Sequence, residues 1–91
     1  MSDGSWELVV AGPAARAIAD ELPEAVAAAV IEFITGALIE NPQRVGHQLR
    51  NELTSVMSAR RGTFRILYRI DVERHEVVVL RVDHRRDVYW T

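Results

Sequence analysis

Three prolines decide where this chain can be helical, because each stands where a helix can begin or has to stop. Pro13 follows Gly12 and suits the first turn of a helix, where its missing N–H costs nothing. The helix continues from Ala14 to Glu21, with Ala15, Ile18 and Leu22 expected on one side. Pro23 opens a second helix in the same way, and Glu24 lies in its first turn, where a negative charge meets the positive helix end. From Val26 the apolar residues recur at Val30, Phe33, Ile34, Ala37 and Leu38, the stripe of an amphipathic helix. Asn41-Pro42 stops it. The pattern predicts a pair of antiparallel helices joined at Leu22-Pro23, preceded by a short strand, Trp6 to Val10, rich in β-forming residues.

The second half changes period. Residues 43–52 are polar around Gly46 and read as an exposed connection. Val56 to Arg61 alternates loosely, and Gly62-Thr63 makes a turn. Phe64, Ile66, Tyr68 and Ile70 then alternate with Arg65, Leu67 and Arg69. After a turn at residues 71–74, Glu76 to Val82 is a near-continuous apolar run, suited to a central strand buried on both faces. The order β-α-α-β-β-β gives an α+β fold: a helical hairpin packed on one face of a small, mainly antiparallel sheet, with the other face partly open. At 91 residues this is a single domain spanning 1–91, small enough that a partner covering its surface would add useful stability.

Charge divides the chain as sharply as period does. Residues 1–43 hold one arginine against seven acids, and residues 44–91 hold ten arginines against six acids. There is no lysine, which a GC-rich genome would explain, but codon bias does not account for the arginines lying in one half. Arginine's planar fork fits phosphate and stacks on bases, so the basic half suits nucleic acid. With no cysteine, disulfides, thiolate catalysis and cysteine-ligated zinc are excluded. His47, His75 and His84 have no paired spacing, so no metal site and no cofactor are expected. The N-terminus lacks the charge and apolar run of a signal peptide, and no stretch can span a bilayer. A cytoplasmic protein without membrane contact is the expectation.

Three local sequences carry a resemblance. Asn41-Pro42-Gln43-Arg44-Val45-Gly46-His47-Gln48-Leu49 resembles the NP…G…L connection that follows the helical hairpin of RelE/ParE-superfamily toxins. Ser58-Ala59-Arg60-Arg61-Gly62-Thr63-Phe64-Arg65-Ile66-Leu67-Tyr68 is similar to their R-x-G-x-[YF]-R-[IV]-x-Y meander, and Val82-Asp83-His84-Arg85-Arg86-Asp87-Val88-Tyr89 to their HRRxVY ending. The resemblance implies a RelE-like, microbial-RNase-like fold and a toxin held by an antitoxin, RelB-like for a RelE-type member. RelE-type members cut messenger RNA in the ribosomal A site; ParE-type members poison DNA gyrase.

Cutting RNA by attack of its own 2′-hydroxyl needs a base, an acid and positive charge where the phosphate gains charge. Arg65 alternates away from Phe64, Ile66 and Tyr68 and is expected on the open face, where the resemblance makes it a phosphate-stabilising residue. Without the resemblance it would read as a solvated strand arginine or as half of a cross-strand ion pair. Arg85, four residues before Tyr89, is preferred as the second phosphate arginine, with Arg81 in reserve. Tyr89 can stack on an unpaired base and exchange a proton, or merely anchor the chain end. His84 can serve as acid or base, or be an ordinary surface histidine; His47 and His75 read as surface residues. Arg50, Arg60, Arg61 and Arg86, with Arg81, suit RNA or ribosome backbone contacts, which need charge rather than a tuned pKa.

One departure from the family's pattern stands out. Several RelE enzymes carry lysines on the strand before the G-x-[YF]-R segment, and Val56-Met57-Ser58-Ala59 has none. A ribosome-dependent mRNA endonuclease therefore competes with a gyrase inhibitor on the same fold, and with a module that binds RNA or protein without cutting.

Overall fold

The computed structural model describes residues 5–48 and 56–84. Strand β1 is Glu7–Val10, helix α1 is Gly12–Arg16 and helix α2 is Glu24–Thr35, followed by the single turn α3, Ala37–Glu40. Four more strands follow: β2 His47–Gln48, β3 Val56–Arg61, β4 Phe64–Asp71 and β5 Glu76–His84. They form one five-stranded sheet in the order β1-β5-β4-β3-β2. Only the β1–β5 pair is parallel; the others are antiparallel. The α+β fold read from the sequence is thus the fold observed.

The helices lie across one face of that sheet. Val30, Phe33, Ile34 and Leu38 bury the expected stripe against Ala59, Phe64, Ile66, Tyr68, Val77, Val79 and Val82. Removing each such side chain from water stabilises the fold by roughly 1.5–3 kcal/mol, so this layer supplies most of the driving force.

Four local readings need correction. In the first helix Ile18 and Leu22 pack half-buried against the core as expected, but Ala15 is exposed and the buried positions are Ala14 and Ala17. A wide π-helical turn then follows over Ala17–Glu21, closed by the Leu22 N–H on the Ala17 carbonyl at 3.0 Å, so the helical period changes after Ala17. The second helix is interrupted at Gly36, whose φ and ψ of −122° and −96° lie outside the helical region. The connection at residues 43–52 is not wholly exposed or irregular: Val45 and Gly46 are half-buried, and His47–Gln48 adds the edge strand β2. Finally, β5 is central, but its open side is only half-covered, with Val78 and Leu80 partly buried and Arg81 exposed.

A bulge in β5 explains that last difference. Leu67 pairs with Arg81 and the next residue, Tyr68, pairs with Val79, so Leu80 is an extra residue in the ladder. Simple alternation from Val77 and Val79 would send residue 81 into the core. The bulge instead directs Val82 and His84 inward and leaves Arg81 and Asp83 on the open face.

Candidate functional site

The open face of the β3–β4–β5 meander gathers the arginines. Arg65 pairs in register with Arg60 on one side and with Asp83 on the other, so all three share that face. Arg65 Nη2 donates to Asp83 Oδ2 at 3.4 Å, and Arg81 Nε donates to Asp83 Oδ1 at 3.0 Å. The Asp83 side chain is only 10 % exposed, whereas those of Arg65 and Arg81 are 33 % and 64 % exposed. The result is a strip in which Arg65 and Arg81 hold one largely covered carboxylate and Arg60 stands beside Arg65. Its net positive charge suits a phosphate, and Arg81 offers the more accessible head.

The remaining candidates are distributed differently. Arg61 pairs with Phe64 and lies toward the helices, its guanidinium carbon 4.8 Å from the centre of the Phe33 ring. That places a cation over an aromatic face at the sheet's end, apart from Arg65. His84 is on the covered side, opposite Phe64 and 4 % exposed, and its Nδ1 is buried with no hydrogen-bond partner among the described residues. It is neither a surface histidine nor a neighbour of Arg65 on the open face. It lines a groove of about 390 Å³ at the end of β5, together with Pro13, Arg16, Ala17, Glu21 and Arg81–Asp83. His47 is exposed, as expected, and His75 is an exposed turn residue stacked on Trp6 at 3.9 Å. Arg50, Arg85, Arg86 and Tyr89 lie outside the described residues. Among the described residues, no group of acids and histidines is arranged to hold a metal ion, and no helix is long and apolar enough to cross a membrane.

Two residues that sequence reasoning passed over organise the site. Asp83 was visible only as part of the tail motif, and its role depends on the bulge, for which the apolar run gives no signal. Tyr68 was read as a core aromatic; it is fully buried, yet its hydroxyl donates to the Pro42 carbonyl at 2.6 Å. Burial pushes its pKa up to about 12, so it stays a donor throughout the physiological range. Gly46 packs against the same hydroxyl: a Cβ there would stand 2.5 Å from Tyr68 Oη and 2.6 Å from the Ser58 carbonyl oxygen. These contacts seat the connection after the helices on the back of β3 and β4.

Comparison with known proteins bears on the fold and the family. Residues 10–89 match the family model described as the ParE toxin of the type II toxin–antitoxin system parDE. Toxin RelG of Mycobacterium tuberculosis is 56 % identical over 75 residues, 82 % of this chain and 86 % of that protein. Toxin RelE of the same organism is 40 % identical over 87 residues, covering 96 % of this chain and 89 % of its own length. The toxin–antitoxin complex RelBE2 of M. tuberculosis contains a chain that superposes with a TM-score of 0.85 at 49 % identity, over 89 % of this chain and 99 % of that one. The fold, the meander with Arg65 and these similarities together assign the chain to the RelE/ParE superfamily of type II toxin–antitoxin toxins, as a RelE-type member.

Proposed function

We propose that this toxin is a ribosome-dependent endoribonuclease that cuts messenger RNA in the A site by attack of the RNA's own 2′-hydroxyl. The observation that carries the reading is Arg65 on the open face, between Arg60 and the Asp83–Arg81 pair. There it can meet the charge that develops on the scissile phosphate, a contribution that grows in a partly dehydrated site. Arg85 and Tyr89 are proposed as the tail's contribution, a second phosphate contact and a base-stacking, proton-exchanging hydroxyl. Arg60 and Arg81, with Arg50 and Arg86, hold the RNA and ribosome backbone by charge. Arg61, whose guanidinium lies over Phe33, is proposed for a contact at the edge of that surface. His84, under the sheet, is not proposed as the acid or base. No cofactor is required, because the nucleophile belongs to the substrate.

A cognate RelB-like antitoxin is the proposed partner, supported by the toxin–antitoxin assembly of the RelBE2 relative. Such a chain would cover the basic face and add stability by mass action.

Gyrase inhibition is the second reading. It is favoured by the match to a ParE toxin model and by a β3 strand, Val56–Arg61, without the lysines of several RelE enzymes. Cell-free translation followed by primer extension separates the two. Ribosome-dependent cuts within A-site codons support the nuclease; uncut message with loss of gyrase supercoiling supports the inhibitor.

A further inference from the structure

Asp83 is a carboxylate where a phosphate-binding strip would be expected to carry none. It sits opposite Arg65 in register and accepts from Arg65 and Arg81 through different oxygens, at 3.4 Å and 3.0 Å. Only 10 % of its side chain is exposed, so its charge is directed into the cluster rather than into solvent. The bulge that re-phases β5 is what brings Asp83 and Arg81 together on this face, and Arg60 adds a third cation opposite Arg65.

We propose that Asp83 is a built-in counter-ion that holds Arg65 and Arg81 where a substrate phosphate is to bind and keeps the strip from capturing RNA on charge alone. The inference rests on the reading of Arg65 as a phosphate-binding group. Arg81 meets Asp83 through Nε while its side chain is 64 % exposed, so a phosphate can join that guanidinium without expelling the carboxylate. Without Asp83, Arg65 and Arg81 would attract any phosphodiester backbone more strongly, since that attraction is independent of sequence. With Asp83 in place, a phosphate approaching Arg65 meets a like charge nearby. Binding is then weaker for free RNA and depends more on the RNA being presented in the right geometry. Asp83 is thus a positioning residue that tunes affinity, not a group that reacts.

The test is the affinity for a single-stranded 2′-O-methyl RNA oligonucleotide, which cannot be cut, measured by fluorescence anisotropy at low and high salt. The native chain is compared with Asp83→Asn, Arg65→Gln and the double variant. Asp83→Asn is expected to bind about three- to tenfold tighter at low salt, the effect of removing one nearby like charge, with the gain shrinking as salt rises. The gain should vanish in the Arg65→Gln background, because it acts through that guanidinium. If Asp83→Asn binds no tighter while Arg65→Gln weakens binding, the counter-ion role is overturned and the phosphate role of Arg65 stands. A gain that survives Arg65→Gln also overturns it, as an effect of overall charge. If Arg65→Gln leaves native binding unchanged, the phosphate reading itself falls. Circular dichroism confirms folding of each variant, and Asp83→Ser, smaller and neutral, replaces Asp83→Asn should the latter not fold.

Discussion

The Tyr68 hydroxyl donates to the carbonyl of Pro42 at 2.6 Å, joining the middle of the central meander to the point where the helices end. The bond lies in the buried layer, so the carbonyl has no water to turn to if the hydroxyl is removed. Tyr68→Phe should therefore destabilise the fold by about 1–3 kcal/mol, read as a lower urea midpoint with little change in slope. An unchanged midpoint would mean that the bond contributes nothing net.

The same hydroxyl sets an alkaline limit. An unfolded tyrosine ionises near its ordinary value of 10.0, whereas burial holds Tyr68 protonated to about 12. The folded pKa is raised, so the associated stability is complete below pH 10 and is lost as pH climbs toward 12. Stability measured across that window should fall for the native chain, by up to about 2 kcal/mol, and fall less for Tyr68→Phe. Equal slopes in the two proteins would contradict the assignment.

Gly46 supports the clamp from the other side. A Cβ there has to push back either the Tyr68 hydroxyl or the Ser58 main chain. Gly46→Ala should cost about 1–3 kcal/mol, although alanine at an exposed, unstrained glycine usually stabilises. A thermal melt at or above the native one would show that the connection shifts freely.

His84 gives the opposite expectation. Its buried Nδ1 has no hydrogen-bond partner among the described residues, so an apolar side chain of similar size loses no bond there. His84→Leu should melt within a few degrees of the native protein or above it, and should retain A-site cleavage. Loss of cleavage with an intact fold would return His84 to the chemistry.

Much of the architecture was legible because the physics behind it is local. Prolines mark helix starts and stops, the Val30–Leu38 stripe has a helical period, and Phe64–Tyr68 alternates, which put Arg65 on the open face. The π-helical turn after Ala17 and the β5 bulge were not legible, because each adds or displaces a single residue, in a short Ala-rich helix and in a near-continuous apolar run, where the pattern fits more than one phase. The bulge matters more: it turns Arg81 and Asp83 toward Arg65 and His84 away from it. The Tyr68–Gly46–Pro42 clamp joins positions up to 26 apart in sequence, and no periodic pattern reports such a contact. The family resemblance had gathered these same segments without revealing why they belong together.

The central claim is that Arg65 works at a scissile phosphate. Its most direct test is primer extension on messenger RNA from a cell-free bacterial translation reaction containing the native toxin, Arg65→Ala or no ribosomes. New ends within A-site codons are expected with the native toxin alone, and Arg65→Ala should reduce them by at least about tenfold, the loss of a charge-stabilising contact in the transition state. Intact message with unhindered translation, or cleavage undiminished by Arg65→Ala, would contradict the account.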